Sequence, residues 1–168
     1  KGIFVFEDPS LLKMISRNSF DQIYDEHAHI FSVLSLKNLL EKNNLDVFRV
    51  EGLNIHGGSN RIFACKKNTR KIENSVSLFL KEEINAGLDK IETFQNFAKR
   101  VEKNKKDLVK ILSNFKSQNK KIVSYGATSK STTVFNYCEI DDKLIDYITD
   151  TTIAKQGKYS PGVHIPVH

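Results

Sequence analysis

Hydrophobic positions follow three successive patterns along the 168-residue chain. Residues 1–66 carry short apolar runs separated by polar turns, which predicts alternating strands and helices. Between residues 67 and 118 the apolar positions recur at three- and four-residue steps, which predicts helices, with Gly87 as the break between two of them. Residues 119–168 return to strand-length runs. The pattern therefore predicts an α/β fold with a helical segment between two strand-containing ends.

The first segment predicts the end of an α/β domain. Ile3–Phe6 is predicted as a buried strand because an apolar run precedes a polar stop. Asp8 is placed to cap the following helix, and Ser35 is placed to cap a second helix, which ends at Asn43. Two more strands are predicted on either side of the glycine-containing turn His56–Arg61.

The last segment predicts a strand, a glycine turn, a helix and a second strand. The strands are Ile122–Tyr125 and Leu144–Ile148, and the second leads to Asp150. This order is typical of a βαβ nucleotide-binding half. The turn Gly126–Lys130 leads into a helix N-terminus, where free backbone amides favour phosphate, and Lys130 adds a positive charge. The turn is neither a full dinucleotide fingerprint nor a P-loop.

The formal net charge of +6 arises largely from a run of Lys and Arg between residues 99 and 121. A run of this kind is most simply a solvated helix face. Nucleic-acid binding is disfavoured because aromatic residues are not interleaved with the basic ones for base stacking. Steering of an anionic substrate is the remaining interpretation.

Membrane, export and redox signals are weak in this sequence. No run of about 18 apolar residues predicts a transmembrane helix, and the first residues lack the features of a signal peptide. They are typical of a strand entered within a domain, so we expect a fragment of a cytoplasmic protein. Cys65 and Cys138 are far apart, with no Cys-x-x-Cys pair. This fits a reducing compartment and argues against a zinc site within these residues.

Titratable side chains crowd into one short stretch that contains Tyr24, Glu26 and His27. Such crowding is typical of acid–base chemistry. An imidazole titrates near neutrality, which makes His27 a candidate base. Tyr24 is a candidate proton relay or donor to a developing enolate oxygen, and Glu26 a candidate contact for a substrate hydroxyl. Because Tyr24 and His27 are three positions apart, one helical turn would place both on the same side.

The segment Tyr24-x-Glu26-His27, followed by Phe31-Ser32, resembles the Tyr-x-Glu-His segment of the S-adenosylmethionine-dependent sugar C-methyltransferases. Those enzymes methylate a carbon of a nucleotide-linked keto-sugar. The resemblance spans almost the whole chain, although Ser131 stands where the family usually has glycine. Further matching blocks are His56-Gly57-Gly58-Ser59-x-Arg61, Gly126-Ala127-Thr128-x-Lys130, Asn136-Tyr137, Asp150, Lys155-Gln156-Gly157-Lys158 and Pro161-Gly162-x-x-Ile165-Pro166.

The resemblance implies a domain organisation and a set of site residues. Residues 1–66 would be the C-terminal part of a Rossmann-type methyltransferase domain, residues 67–118 a helical linker, and residues 119–168 a truncated Rossmann-like domain that binds the nucleotide-sugar. His27 and Tyr24 would be the acid–base residues, and Glu26 would contact the sugar. The implied substrate-binding residues are His56, Gly57, Gly58, Arg61, Gly126, Ala127, Thr128, Lys130, Asn136, Asp150 and Lys155.

The resemblance also implies the ligands of a deoxysugar-biosynthesis enzyme. S-adenosylmethionine would be the methyl donor, held mostly outside these residues, and a nucleotide-diphosphate keto-sugar the acceptor. A zinc module would precede Lys1, with no metal within the chain and no nucleic-acid or membrane partner. We expect the fragment to be inactive by itself.

Two other functions remain open at this stage. A nicotinamide-linked (NAD) nucleotide-sugar oxidoreductase could use the Gly126 turn, but it requires a fuller glycine fingerprint than this chain has. A non-catalytic module could use the same turn only to bind a nucleotide or a protein partner. Nicotinamide-cofactor binding tests the first alternative, and replacement of His27 tests the second.

Overall fold

The computed structural model describes residues 2–168 and divides into two compact units. The first unit comprises the residues up to Ser19 together with His29–Ala98, and the second comprises Phe20–Ala28 together with Lys99–His168. The regular elements are β1 (Ile3–Pro9), α1 (Leu11–Arg17), α2 (Val33–Lys42), β2 (Leu45–Leu53), β3 (Ser59–Lys66), α3 (Asn74–Asn85), α4 (Ile91–Ser117), β4 (Val123–Tyr125), α5 (Ser129–Cys138) and β5 (Tyr147–Thr149), with 3₁₀ turns at Phe20–Gln22, Asp25–His27 and Ile153–Lys155.

The first unit is built on a three-stranded antiparallel sheet in the order β1–β3–β2. Helices α2 and α3 pack on β2 and on each other, and their apolar positions are removed from water together with those of the strands. The buried residues of this core are Val33, Leu36, Leu40, Val47, Val50, Ile62, Ala64 and Val76.

The first predicted strand is confirmed, but its predicted burial is wrong. Strand β1 lies at the edge of its sheet, and Ile3, Phe4 and Val5 are 49%, 54% and 42% exposed. The predicted capping role of Asp8 is also wrong, because β1 continues through this residue. Ser10 caps α1 instead, and its side chain accepts a hydrogen bond from the Lys13 amide at 3.4 Å.

Helix α2 begins three residues earlier than the sequence pattern predicts. Ser32, not Ser35, is its N-cap, and the two serines form a reciprocal capping box. The buried carboxylate of Glu83 accepts hydrogen bonds from the amides of Val33 and Leu34, both at 2.8 Å. The first turn of α2 is therefore tied to α3, and Asn43 ends the helix as predicted.

The helical middle of the chain is confirmed as α3 and α4. Gly87 lies between them with φ of 74°, a left-handed conformation that glycine adopts without strain. The basic face of α4 is largely exposed, as predicted, and several of its lysines form ion pairs. These pairs are Lys103 with Asp107, Lys105 with Glu139 and Lys116 with Asp146.

The second unit contains the predicted strand–turn–helix–strand order. Strands β4 and β5 are parallel, and α5 connects them. Strand β5 begins later than predicted. The amides of Leu144 and Ile145 both donate to the Asp141 carbonyl, so these two residues belong to a turn that precedes the strand. The chain after residue 156 folds back as a ribbon that bridges to β5. The buried residues are Phe135, Cys138, Ile140, Ile145, Ile148, Ile165 and Val167.

Candidate functional site

A pocket of about 760 Å³ lies within the second unit. Its volume is in the range that holds a small-molecule or nucleotide ligand. Its walls come from the segment before the 3₁₀ turn Asp25–His27, from the start and exposed face of α5, and from the C-terminal ribbon. The lining residues are Ile23, Tyr24, Asp25, Ala127, Ser129, Thr132, Thr133, Asn136, Lys155, Lys158, Tyr159, Ser160, Pro161 and Val167.

The titratable stretch reaches this pocket by packing on α5. The Phe20 and Tyr137 rings are in contact, with centroids 5.3 Å apart. The Thr133 hydroxyl donates a hydrogen bond to the Ile23 carbonyl at 3.4 Å. Two motifs that are a hundred residues apart in sequence therefore share one pocket: the stretch with Tyr24 and the turn with Ala127.

Tyr24 and His27 lie side by side, as their spacing predicts. The His27 amide donates to the Tyr24 carbonyl at 2.8 Å, and the ring centroids are 4.8 Å apart at an interplanar angle of 68°. Burial raises the pKa of the Tyr24 phenol, and nearby carboxylates, of which Glu26 contributes most, raise it further. The phenol therefore stays protonated at neutral pH and can donate a hydrogen bond. Glu26 lies on the same 3₁₀ turn and is exposed.

The Gly126 turn makes several hydrogen bonds within the chain that the sequence does not predict. Gly126 has φ of 92°, and the Ala127 amide donates to Asp150 at 2.8 Å. Thr128 caps α5, and its amide donates to the Ser131 hydroxyl at 2.9 Å while the Ser131 amide donates back at 3.1 Å. Ser131 thus supplies half of a capping box, which a glycine could not do. These three amides therefore have protein partners.

Asp150 and Lys155 hold two walls of the pocket together. Lys155 Nζ donates to the Ala127 carbonyl at 2.7 Å and to Asp150 at 3.1 Å. Hydrogen bonds from Thr152, followed by those from Lys155 and the Ala127 amide, hold the pKa of Asp150 well below its usual range. The carboxylate is therefore ionised and already bonded within the chain. Its predicted contact with substrate stays a prediction.

Asn136 also joins elements of the pocket. Its side-chain amide donates to the Thr132 carbonyl at 2.9 Å and to the Pro161 carbonyl at 3.0 Å. Gly162 follows Pro161 with φ of 80°, and a Cβ at that position would lie 2.0 Å from the Asn136 side-chain oxygen. This glycine is required for the close contact between α5 and the ribbon.

The predicted site residues His56, Gly57, Gly58 and Arg61 belong to the first unit. His56, Gly57 and Gly58 all have positive φ in the turn between β2 and β3. The Lys13 side chain packs over Gly58, where a Cβ would lie 2.8 Å from its Cγ. This turn is therefore packed against the protein's own α1.

Arg61 lies on β3 between two acidic neighbours. Its guanidinium is hydrogen-bonded to Glu7 at 2.7 Å and to Glu51 at 3.3 Å. These bonds, that to Glu7 above all, raise the pKa of Arg61. The guanidinium charge is thus compensated across the sheet, and its predicted role in substrate binding stays a prediction.

Several residues that line the pocket are not among the predicted site residues, including Thr132, Lys158 and Tyr159. A threonine on a helix carries no distinctive signal, but Lys158 belongs to the block Lys155-Gln156-Gly157-Lys158, from which only Lys155 is a predicted site residue. Several predicted site residues of the second unit are not among the described residues that line the pocket: Glu26, His27, Gly126, Thr128, Lys130 and Asp150. The described residues also contain no group of three or more His, Cys, Asp or Glu arranged to hold a metal ion.

Comparison with known proteins gives two matches. The family model described as the C-methyltransferase C-terminal domain matches residues 54–168. The chain is 32% identical over 167 residues to the C-methyltransferase NovU of Streptomyces niveus. This alignment covers 99% of the chain but only 40% of the length of the relative.

Proposed function

Because this chain belongs to the C-methyltransferase family and carries its C-terminal domain, we propose that it is part of an enzyme that methylates a carbon of a nucleotide-diphosphate keto-sugar. S-adenosylmethionine is the proposed methyl donor. The observation that carries the proposal is the pocket of the second unit, which has Tyr24 at one wall and the start of α5 at another.

The lining of the pocket supports a phosphorylated acceptor. Two lysines, Lys155 and Lys158, and one acid, Asp25, are its charged residues. Since Lys155 is paired with Asp150, the ammonium of Lys158 is the cation that can bind an anionic group of the acceptor. The hydroxyl groups of Ser129, Thr132 and Thr133 can bond to sugar or ribose oxygens. We therefore assign this pocket to the acceptor and derive no step from donor binding within it.

The proposed chemistry begins at the carbon next to the ketone of the sugar. His27 takes the proton from this carbon, and the electron pair of the C–H bond passes into the enolate. The Tyr24 phenol, kept protonated by its raised pKa, donates a hydrogen bond to the enolate oxygen. The donor, when bound, would supply an electrophilic methyl group: the sugar carbon bonds to this methyl group as the methyl–sulfur bond breaks, and the electron pair of that bond stays on the sulfur, which leaves as a neutral thioether. Glu26 orients a sugar hydroxyl so that this carbon faces the methyl group.

We also propose the rest of the organisation that the resemblance implies. The first unit is the tail of a Rossmann-type methyltransferase domain, in which α2, β2 and β3 follow one another as helix, strand and strand. The second unit carries the nucleotide-sugar-binding domain. A cytoplasmic location is consistent with Cys65 and Cys138, which are both free and buried. Among the described residues, no helix is long and apolar enough to cross a membrane.

The test uses the full-length protein with labelled S-adenosylmethionine and a panel of keto-sugar nucleotides. We expect label to appear on a sugar carbon, and a His27→Ala variant to lose about 10²–10⁴-fold in rate. The variant should also lose exchange of the proton next to the ketone with solvent, because exchange needs the base but not methyl transfer. Exchange at the wild-type rate in His27→Ala would exclude His27 as the base. Absence of methyl transfer to every sugar of the panel would overturn the proposed function.

A further inference from the structure

We propose that Lys158 is the cation that recognises the phosphate groups of the ligand in the second unit's pocket. The sequence pattern places this role on Lys130, at the glycine turn. The assignment rests on the proposed function, since it takes the acceptor to be a nucleoside diphosphate derivative, but it concerns phosphate binding and not methyl transfer.

Several backbone amides of the glycine turn are already hydrogen-bonded within the chain. The amides of Ala127, Thr128 and Ser131 already donate to Asp150 or to the capping box. The ligand would have to displace an ionised carboxylate to use the Ala127 amide. Lys130 is not among the described residues that line the pocket. Three amides of the turn therefore already have protein partners.

The two lysines that line the pocket differ in their partners. Lys155 Nζ is bonded to the Ala127 carbonyl and to Asp150, so its charge is largely compensated. Lys158 is exposed, and no carboxylate of the described residues forms an ion pair with it. Its ammonium carries three donors that remain available to phosphate oxygens.

Backbone hydrogen bonds fix the position of Lys158. Its carbonyl accepts from the Val167 amide at 2.9 Å, and its own amide donates to the Lys155 carbonyl at 3.2 Å. Next to it, Tyr159 pairs with Pro166 across the ribbon, and Val167 is buried. The backbone at Lys158 is thus held at the pocket wall, so that a ligand has to order only the side chain.

The experiment measures the binding of thymidine diphosphate and uridine diphosphate to the full-length protein by calorimetry, with thymidine and uridine as phosphate-free probes. We expect Lys158→Gln to weaken both diphosphates by roughly 10- to 100-fold and to leave the nucleosides unchanged, since a hydrogen bond to a charged group has about this effect. Lys158→Arg should retain most of the affinity. Lys143→Gln, at an exposed lysine of the same unit whose side chain is 86% accessible, controls for the loss of one charge.

Lys130→Gln separates the two assignments. The proposal expects its effect to match that of Lys143→Gln. Loss of diphosphate affinity in Lys130→Gln with none in Lys158→Gln would overturn it, and so would failure of the wild-type protein to bind either diphosphate. Equal weakening of diphosphates and nucleosides in Lys158→Gln would also overturn it, because that result indicates a disturbed loop. Lys158-dependent diphosphate binding without methyl transfer would overturn the proposed reaction and leave this assignment standing.

Discussion

The phenol ring of Tyr24 packs edge-on against the imidazole of His27, with ring centroids 4.8 Å apart. The contact depends on the 3₁₀ turn, in which the His27 amide donates to the Tyr24 carbonyl. The two side chains therefore lie on the same side of this 3₁₀ turn, and Tyr24 lines the pocket. This geometry suits a pair in which one ring takes a proton and the other stabilises the resulting charge.

Replacing Tyr24 with Phe should preserve the ring contact and remove only the hydroxyl group. We expect kcat for methyl transfer to fall by about 10- to 10³-fold, since loss of one donor to a developing oxyanion has an effect of up to this size. KM for the sugar nucleotide should change little. Steady-state kinetics of the full-length variant test this. A large rise in KM with unchanged kcat would mean that Tyr24 binds the ground state and not the enolate.

Glu83 should be important for the stability of the first unit. Its side chain is almost fully buried and accepts hydrogen bonds from the amides of Val33 and Leu34. Glu83→Ala should lower the free energy of unfolding by about 1–3 kcal/mol, because these amides lose their acceptor. Glu82→Ala is the matched control, since its ion pair with Lys13 is exposed and should contribute under 1 kcal/mol. Urea denaturation compares the two, and equal effects would contradict the prediction.

The same carboxyl group should make stability depend on pH. Burial raises the pKa of Glu83 above its ordinary value. The folded state therefore holds this proton more tightly than the unfolded state, and the stability contributed by Glu83 falls as pH rises from its unfolded pKa, about 4.3, through its folded pKa. Glu83→Gln should flatten that part of the profile while keeping one acceptor. An unchanged profile in the variant would show that the group does not titrate differently on folding.

Asp150 should show the opposite dependence on pH. Its pKa is lowered in the folded state, so its contribution is present above the unfolded pKa of about 3.9 and is lost as pH falls further. We expect Asp150→Asn to lower the urea midpoint at pH 7 and pH 5, and the difference from wild type to shrink below about pH 4. Asp142→Asn, at an exposed position of the same unit, is the control. A difference that persists unchanged in acid would mean that packing, not charge, is responsible.

Two glycines of the ribbon allow a matched test of the pocket wall. Gly157 and Gly162 have similar φ values of 74° and 80°, but only at Gly162 would a Cβ collide with Asn136. Each change to Ala should cost about 1–2 kcal/mol of backbone strain. Only Gly162→Ala should also displace Asn136 and raise KM for the sugar nucleotide, by several-fold or more. Equal KM values for the two variants would show that the position of Asn136 does not matter for binding.

The local sequence pattern was sufficient to predict much of the secondary structure of this chain. The strands, the break at Gly87, the glycine turn before α5 and the pairing of Tyr24 with His27 all depend on neighbours within a few residues. Such features follow from backbone geometry and helical periodicity, which the order of residues expresses directly. Ser131, which stands where the family usually has glycine, also has a local role, since its hydroxyl completes a capping box.

Tertiary structure decided what local pattern could not express. The exposure of Ile3, Phe4 and Val5 depends on β1 lying at the edge of its sheet, because an apolar run has the same sequence at an edge as in the centre. The pocket exists because Phe20 and Ile23 pack on α5, more than a hundred residues away. The hydrogen bond from the Ala127 amide to Asp150 likewise joins residues that are not neighbours in sequence. Contacts between residues so far apart in sequence form where two surfaces can bury apolar area and satisfy buried hydrogen-bond donors at the same time. Which surfaces meet is determined only by the fold of the whole chain.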